Sequence, residues 1–409
     1  MNSLHVDSLS SSHAEASGIE LGISPGLKIG KIGADYTLSE LRKAYIRQLA
    51  LDGVSAEIYN DIGLWKISGL ENAAFSEKSE GGFNLFDAIS VQSSLPAAIH
   101  LTHSNIRIRH PLFETSIPVE GAYTSEPSPA LTLTIPSLAL ALSAYTLSAE
   151  NISFKTLLKE NSWEGTLDTP NVQIGGFPQD IPALKLSSHF VASAEKTTYN
   201  ATLKDKAQAY AATFSVDLPY AASRQGVLTV KSLQFPYAGG VIRTSSVKIP
   251  LSGSKPVKLA LTFENLSLDS LADMASDGKV KATGVISGTL PLTYYPDGKI
   301  TLQEGAAQAK ENGTIIVSPE AIPGGDRKEL EIVRTALQNF HYTSLSLQVL
   351  SGAGNTSTIH LKVEGNNPNA FNGKPVKLNV NLSGDILPMI QQSLGALDDV
   401  KGLLEREGK

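Results

Sequence analysis

The chain contains no cysteine. Disulfides, thiolate nucleophiles and cysteine-bound metals are therefore excluded, and the redox compartment stays open. Charged residues are scarce: 18% of the chain, against about 25% in an average globular protein. Less polar surface than usual is thus available to cover apolar side chains. The net charge is −6 and the basic residues form no run. A nucleic-acid-binding protein would carry a basic patch or stripe, so nucleic acid is not expected as a partner. Aromatic residues make up only 6%. No stretch approaches the ~20 apolar residues of a membrane-spanning helix. The opening MNSLHVDSLSSSHAEASG has neither the basic start nor the apolar segment of a signal peptide.

Catalytic signatures are lacking as well. No P-loop or dinucleotide glycine fingerprint occurs. Gly352-Ala353-Gly354 follows a strand pattern without a third glycine and reads as a turn. Of eight histidines, His100, His103 and His110 cluster in HLTHSNIRIRH. Residues three apart in a strand point to opposite faces, and the spacing fits no zinc pattern, so solvated strand histidines are expected. Asp269, Asp273 and Asp277 could share a helix face, but Asp269 is expected to cap that helix and the face to be solvated. No enzyme activity, cofactor or metal is expected.

What the chain does have is two-residue alternation. Leu131, Leu133 and Ile135 alternate with Thr132 and Thr134. Val257, Leu259, Leu261 and Phe263 form a second set, and Leu345, Leu347 and Val349 a third. Ile359, Leu361 and Val363 follow. Val376, Leu378, Val380 and Leu382 alternate with Lys377, Asn379 and Asn381. This pattern predicts antiparallel sheet with one apolar and one polar face. Turn signals punctuate it at Gly239-Gly240, Pro296-Asp297-Gly298, Glu311-Asn312-Gly313 and Asn372-Gly373.

Helices are few. Residues 37–53 are predicted helical, with a Thr37/Glu40 capping box and Leu38, Leu41, Tyr45 and Leu49 on one side. A short helix is predicted from Asp269 to before Gly278. Another opens with a capping box at Asp326 and Glu329 and carries Leu330, Val333, Leu337 and Phe340. The last predicted helix, residues 386–409, has one apolar face with Ile390, Leu394, Leu397, Val400 and Leu404.

An apolar sheet face must be covered by a second sheet, by closure into a barrel, or by apolar cargo. Aliphatic side chains suit acyl chains, since each buried CH₂ contributes about 0.8 kcal/mol. Alternation alone leaves these alternatives open, and the residues taken alone favour a closed core, as in a structural or scaffolding protein.

Residues 225–385 tip the reading. LTFENLSLDSLADMASDGKVKATGVISGTLPLTYYPDG is followed by Gly305, by Gly313 before a strand, and by NFHYTSLSLQV. Then comes IHLKVEGNNPNAFNGKPVKLNVNLSG, two strands around an Asn367-Pro368 loop. This ordered set resembles the YdbH branch of the AsmA-like envelope proteins. The resemblance implies an elongated, twisted antiparallel sheet curled into an open apolar groove, in the periplasm, that carries phospholipid between the inner and outer membranes of a diderm bacterium. It also implies an inner-membrane anchor, absent from this chain, and strand addition by a small outer-membrane lipoprotein resembling YnbE. An older name for the domain, dicarboxylate transport, finds no matching cluster of Arg or Lys.

The expected division is a peripheral or poorly ordered segment at 1–36, the N-terminal part of the groove at 37–224, opening with a helix, the YdbH-like domain at 225–385, and a C-terminal amphipathic helix at 386–409. The expected groove lining is Leu131, Leu133, Ile135, Leu259, Leu261, Phe263, Leu345, Leu347, Val349, Ile359, Leu361, Val363, Leu378 and Val380. The expected docking edge is Val376, Leu378, Val380 and Leu382. About 18 strands at ~4.8 Å would give a groove on the order of 90 Å long.

Overall fold

A computed structural model describes residues 3–21, 26–43, 45–61, 64–68, 95–110, 113–142, 145–177, 180–219, 226–244, 246–251, 255–276, 278–296, 299–321, 328–351 and 357–384. The described residues are mainly strand, in one 25-stranded sheet. The first strands are β1 (Ser3–Leu9), β2 (His13–Leu21), β3 (Leu27–Asp35), β4 (Gln48–Asp61), β5 (Leu64–Ile67), β6 (Ala98–His110) and β7 (Phe113–Thr124). The middle of the sheet is β8 (Ala130–Leu142), β9 (Tyr145–Lys159), β10 (Ser162–Gly175), β11 (Leu184–Ala192), β12 (Lys196–Lys204), β13 (Ala211–Pro219) and β14 (Val227–Tyr237). Then follow β15 (Gly240–Thr244), β16 (Val247–Pro250), β17 (Val257–Ser267), β18 (Val280–Ala282), β19 (Val285–Tyr294), β20 (Ile300–Leu302), β21 (Gly305–Ala309) and β22 (Gly313–Val317). The sheet ends with β23 (Phe340–Ser351), β24 (Ser357–Asn366) and β25 (Val376–Gly384).

Most neighbours in sequence pair as antiparallel neighbours in space. Among the described residues β1 pairs only with β2, and β25 only with β24, so the sheet is open. The one parallel pair among the described residues is β4 with β6, where Leu51 faces Leu101. Parallel neighbours require a long connection; of the residues between β4 and β6, 69–94 lie outside the described residues. The direct ladder from β1 to β25 runs β1–β2–β3–β4–β6, on through β15, then β17–β19–β21–β23–β24–β25. Its nineteen steps at about 4.8 Å give a contour of roughly 90 Å.

Among the described residues three α-helices lie between the strands: α1 (Leu38–Leu41), α2 (Leu268–Ser276) and α3 (Lys328–Leu337). The helix expected over 37–53 is corrected here. Its capping box forms, with Thr37 N–H donating to Glu40 Oε2 at 2.8 Å and Glu40 N–H to Thr37 Oγ1 at 3.2 Å. The helix nevertheless stops at Leu41, and Leu38 and Leu41 stay exposed. From Gln48 the chain joins β3 on one side and β6 on the other. Ladders on both edges outweigh weak local helix preference. Gly53, at φ 67°, shifts the alternation so that Leu49 and Leu51 share a face with Val54, Ala56 and Ile58.

Residues 1–36 also differ from expectation, because they supply β1 to β3. The serine run is the hairpin turn: Ser10 N–H donates to His13 O at 2.8 Å, and Ser10 Oγ accepts from His13 N–H at 3.0 Å. The cap of α2 is Ser267, whose Oγ accepts from Ser270 N–H at 3.3 Å, and Asp269 sits in the first turn instead. Asp326 with its capping box, and the helix expected at 386–409, lie outside the described residues. Among the described residues, buried apolar side chains form four separate clusters along the sheet rather than one central core.

Candidate functional site

Residues directly opposite each other in a ladder share a face. The register can therefore be followed across the sheet. From the N-terminal edge one row runs Val6, Ala16, Ile32, Leu51, Leu101, Gly121, Leu133, Phe154 and Leu167. Gly165, on the same face two residues earlier, pairs with Phe190, which leads to Tyr199, Val216 and Leu228. Past a bulge in β14 the face continues through Phe235, Ile242, Phe263, Gly288, Ala307, Leu347, Leu361 and Val380. Every residue expected to line a groove lies on this one apolar face.

Burial grades along it. Leu131, Leu133, Ile135, Leu259, Leu261, Phe263, Leu347, Val349, Ile359, Leu361 and Val380 are half-buried. Leu345, Val363 and Leu378 are fully buried. The second group, with Phe340 and Tyr342, forms a core covered by Leu268, Leu271 and Ala272 around α2 and by Val333, Ala336 and Leu337 of α3. The helices thus close the apolar face where these residues sit.

Two polar ties hold that closed end. Asn367, 2% exposed, donates through Nδ2 to Thr335 O at 2.8 Å and Ala336 O at 3.2 Å, satisfying carbonyls at the end of α3. Tyr342 OH donates to Thr283 O at 2.8 Å, and burial pushes its pKa up. The Asn-Pro loop singled out in the sequence is thereby explained: it fastens β24 and β25 to α3.

The apolar face is also bent inward. A methyl on Gly288 would lie 2.8 Å from Ala307 Cβ, whereas flat paired strands hold Cβ atoms about 4.5–5.5 Å apart. On Gly165 it would lie 2.8 Å from Thr156 Cα, and on Gly365 2.7 Å from Tyr342 Cα. All three glycines belong to the apolar face, so the neighbouring backbone folds toward that side. Gly33, on the opposite face, would meet nothing closer than 3.8 Å. Glycines at such corners let a sheet curve sharply.

The opposite face carries the charge. Ion pairs bridge neighbouring strands at Lys31–Glu15 (2.9 Å), Lys159–Glu164 (2.8 Å), Arg243–Glu264 (2.6 Å) and Lys377–Glu364 (2.8 Å). Solvent-exposed pairs contribute about 0–1 kcal/mol each, so they mainly keep this face wet. His13 sits 2.5 Å from Asp35, whose hydrogen bond raises the imidazole's pKa. His103, at φ 45° on a bulge of β6, is raised in the same way by Asp52 at 2.7 Å. His110 stacks on Phe113 at 5.1 Å, and His100 is exposed. Among the described residues no group of His, Asp and Glu could hold a metal. No helix among them is long and apolar enough to cross a membrane.

Hydroxyls buried on the apolar face are repaired locally. Ser104 Oγ donates to Thr102 O, Thr115 to Ala139 O, Thr156 to Glu164 O, Thr169 to Glu150 O and Ser188 to Leu167 O. These roles are not legible from neighbouring residues, because each depends on which strand lies alongside.

Residues 206–406 match the family model described as YdbH-like, intermembrane phospholipid transport protein YdbH. The chain matches no curated protein and no solved structure. The match covers the glycine-cornered β17–β19–β21–β23 ladder, both helices of the closed end and the Asn367 loop, and it is this C-terminal portion of the chain that is similar to the YdbH-like family.

Proposed function

We propose that the chain carries phospholipid between the inner and outer membranes of a diderm envelope, along the apolar face of its sheet. The observation that carries this reading is the single inward-bent apolar face, half-buried over most of its length. A closed sandwich core would bury the same side chains fully. Acyl tails lie against Leu131, Leu133, Ile135, Leu259, Leu261, Leu347 and Leu361, and head groups stay in water at the open side. Burial of chain carbons supplies the affinity without a fixed pose, so lipid moves by diffusion. No bond is made or broken, and no catalytic group is required. Leu345, Val363 and Leu378 act beside the path, as the packed end beneath α2 and α3.

Purification of the protein from bacterial envelopes, followed by lipid extraction and mass spectrometry, tests this. Phospholipid in stoichiometric amount is expected. Lipid-free protein that also takes up none from vesicles would overturn the reading and leave a scaffolding protein with a closed core.

The outer edge of β25 is the proposed docking place for a small outer-membrane lipoprotein resembling YnbE. An unpaired edge offers backbone donors and acceptors to a partner strand. Successive N–H groups in a strand point to opposite edges. One of the two variants Asn379→Pro and Val380→Pro therefore removes an outward donor, and the other removes a bond to β24. The outward variant is expected to abolish co-purification of the lipoprotein with the sheet intact. Unchanged co-purification with both variants would exclude this edge.

A further inference from the structure

Two buried polar groups on the apolar face lack the local repair that the hydroxyls receive. Among the described residues Tyr123 OH and Trp163 Nε1 have no hydrogen-bond partner, although Tyr123 is 6% exposed and Trp163 0%. Both belong to one cluster with Phe190 and Ala192, against which Leu131, Phe154 and Tyr199 pack. Phe154 and Phe190 stack at 5.2 Å. In a chain with 6% aromatics and two tryptophans, this is a local concentration of rings. Leaving a buried donor unpaired costs about 1–3 kcal/mol, and Ser104, Thr115, Thr156, Thr169 and Ser188 on the same face all avoid that cost.

We propose that Tyr123 and Trp163 form a station for the ester region of a diacyl lipid, donating hydrogen bonds to its carbonyl oxygens while the surrounding rings hold the first carbons of the chains. The inference rests on the lipid-carrying reading above. Tyrosine and tryptophan suit a boundary where one end of the ligand is apolar and the other polar. The side chains packed in this cluster are aromatic or aliphatic. Lys159, near its border in sequence, is engaged by Glu164 at 2.8 Å. A buried anion without a cation is disfavoured, so phosphate and free carboxylate fit less well than a neutral ester carbonyl.

Uptake of dioleoyl phosphatidylglycerol and of its dialkyl-ether analogue by the full chain separates the outcomes. The wild type is expected to prefer the ester lipid about fivefold to tenfold, as one or two neutral hydrogen bonds would give. Tyr123→Phe with Trp163→Phe keeps the rings, removes both donors, and is expected to take up both lipids equally, at the ether level. A wild type that takes up both lipids alike overturns the station and leaves the lipid path standing. A preference that survives in the double variant overturns the assignment to these residues. Uptake of neither lipid by the wild type overturns the path and the station together. A second measurement does not depend on the folding of that variant. With Trp65→Phe, Trp163 is the sole tryptophan, and its emission is expected to be quenched several-fold more by lipid brominated near the ester than near the chain end. The opposite order overturns the station.

Discussion

Aspartate at Val363 is expected to unfold the C-terminal end of the sheet, whereas aspartate at Leu361 is expected to leave it folded and stop lipid uptake. The two residues are neighbours on one face of β24. Val363 is 1% exposed and lies between Leu345 and Leu378, both buried, under α2 and α3. A carboxylate there has no partner and no water. The cost is on the order of 4 kcal/mol, a large part of the 5–15 kcal/mol that typically separates folded from unfolded protein. Leu361 lies between Leu347 and Val380, all three half-buried. Its carboxylate reaches solvent at the open side, so the sheet tolerates it, while a charge on the path repels acyl chains. Urea denaturation followed by circular dichroism reads the first effect, and uptake of fluorescent phospholipid from vesicles reads the second. Leu261→Asp is expected to behave like Leu361→Asp. Unfolding by Leu361→Asp as severe as by Val363→Asp would mean that the face is closed along its length.

Alternation made the strands and their apolar sides legible, because the period of two is a property of neighbouring residues alone. Leu131, Leu133 and Ile135 needed no other information to be placed together. Whether they share a face with Leu361 does need more, since the answer passes through every ladder in between and through the bulges of β6 and β14 that shift the phase. The segment 37–53 departs from its local pattern for the same reason. Leu38, Leu41, Tyr45 and Leu49 fit a helix, and only the presence of β3 and β6 on both sides decides for a strand. The stripe of Val333 and Leu337 was legible, but not what it covers, because Leu345, Val363 and Leu378 arrive from three different strands. Tyr123 and Trp163 belong to no motif that singles them out in the sequence. Their missing partners become visible only once the hydroxyls around them are seen to be bonded.

The curvature of the face was the least legible feature, and it gives the other large expected effect. Gly165→Ala and Gly288→Ala are each expected to destabilise the sheet by about 1–3 kcal/mol, the usual range for forcing extra atoms into a packed site. Gly33→Ala is expected to be neutral, or stabilising by up to about 1 kcal/mol through lower entropy of the unfolded chain. All three are strand glycines, and by sequence alone the substitutions look alike. They differ in what the new methyl meets. At Gly165 it lies 2.8 Å from Thr156 Cα and at Gly288 2.8 Å from Ala307 Cβ, neither of which can turn aside as a long side chain would. At Gly33 the nearest atom is 3.8 Å away. To admit the methyl, β9 and β10, or β19 and β21, must open away from the apolar face, which flattens the trough at that point. Hydrogen exchange is the suitable readout, since an open sheet can loosen locally without unfolding as a whole. Faster exchange confined to β9–β11 in Gly165→Ala, and to β19–β23 in Gly288→Ala, is expected, together with weaker lipid retention. Unchanged exchange in both would show that the backbone is not held bent toward this face, and would remove the geometric basis for a lipid path.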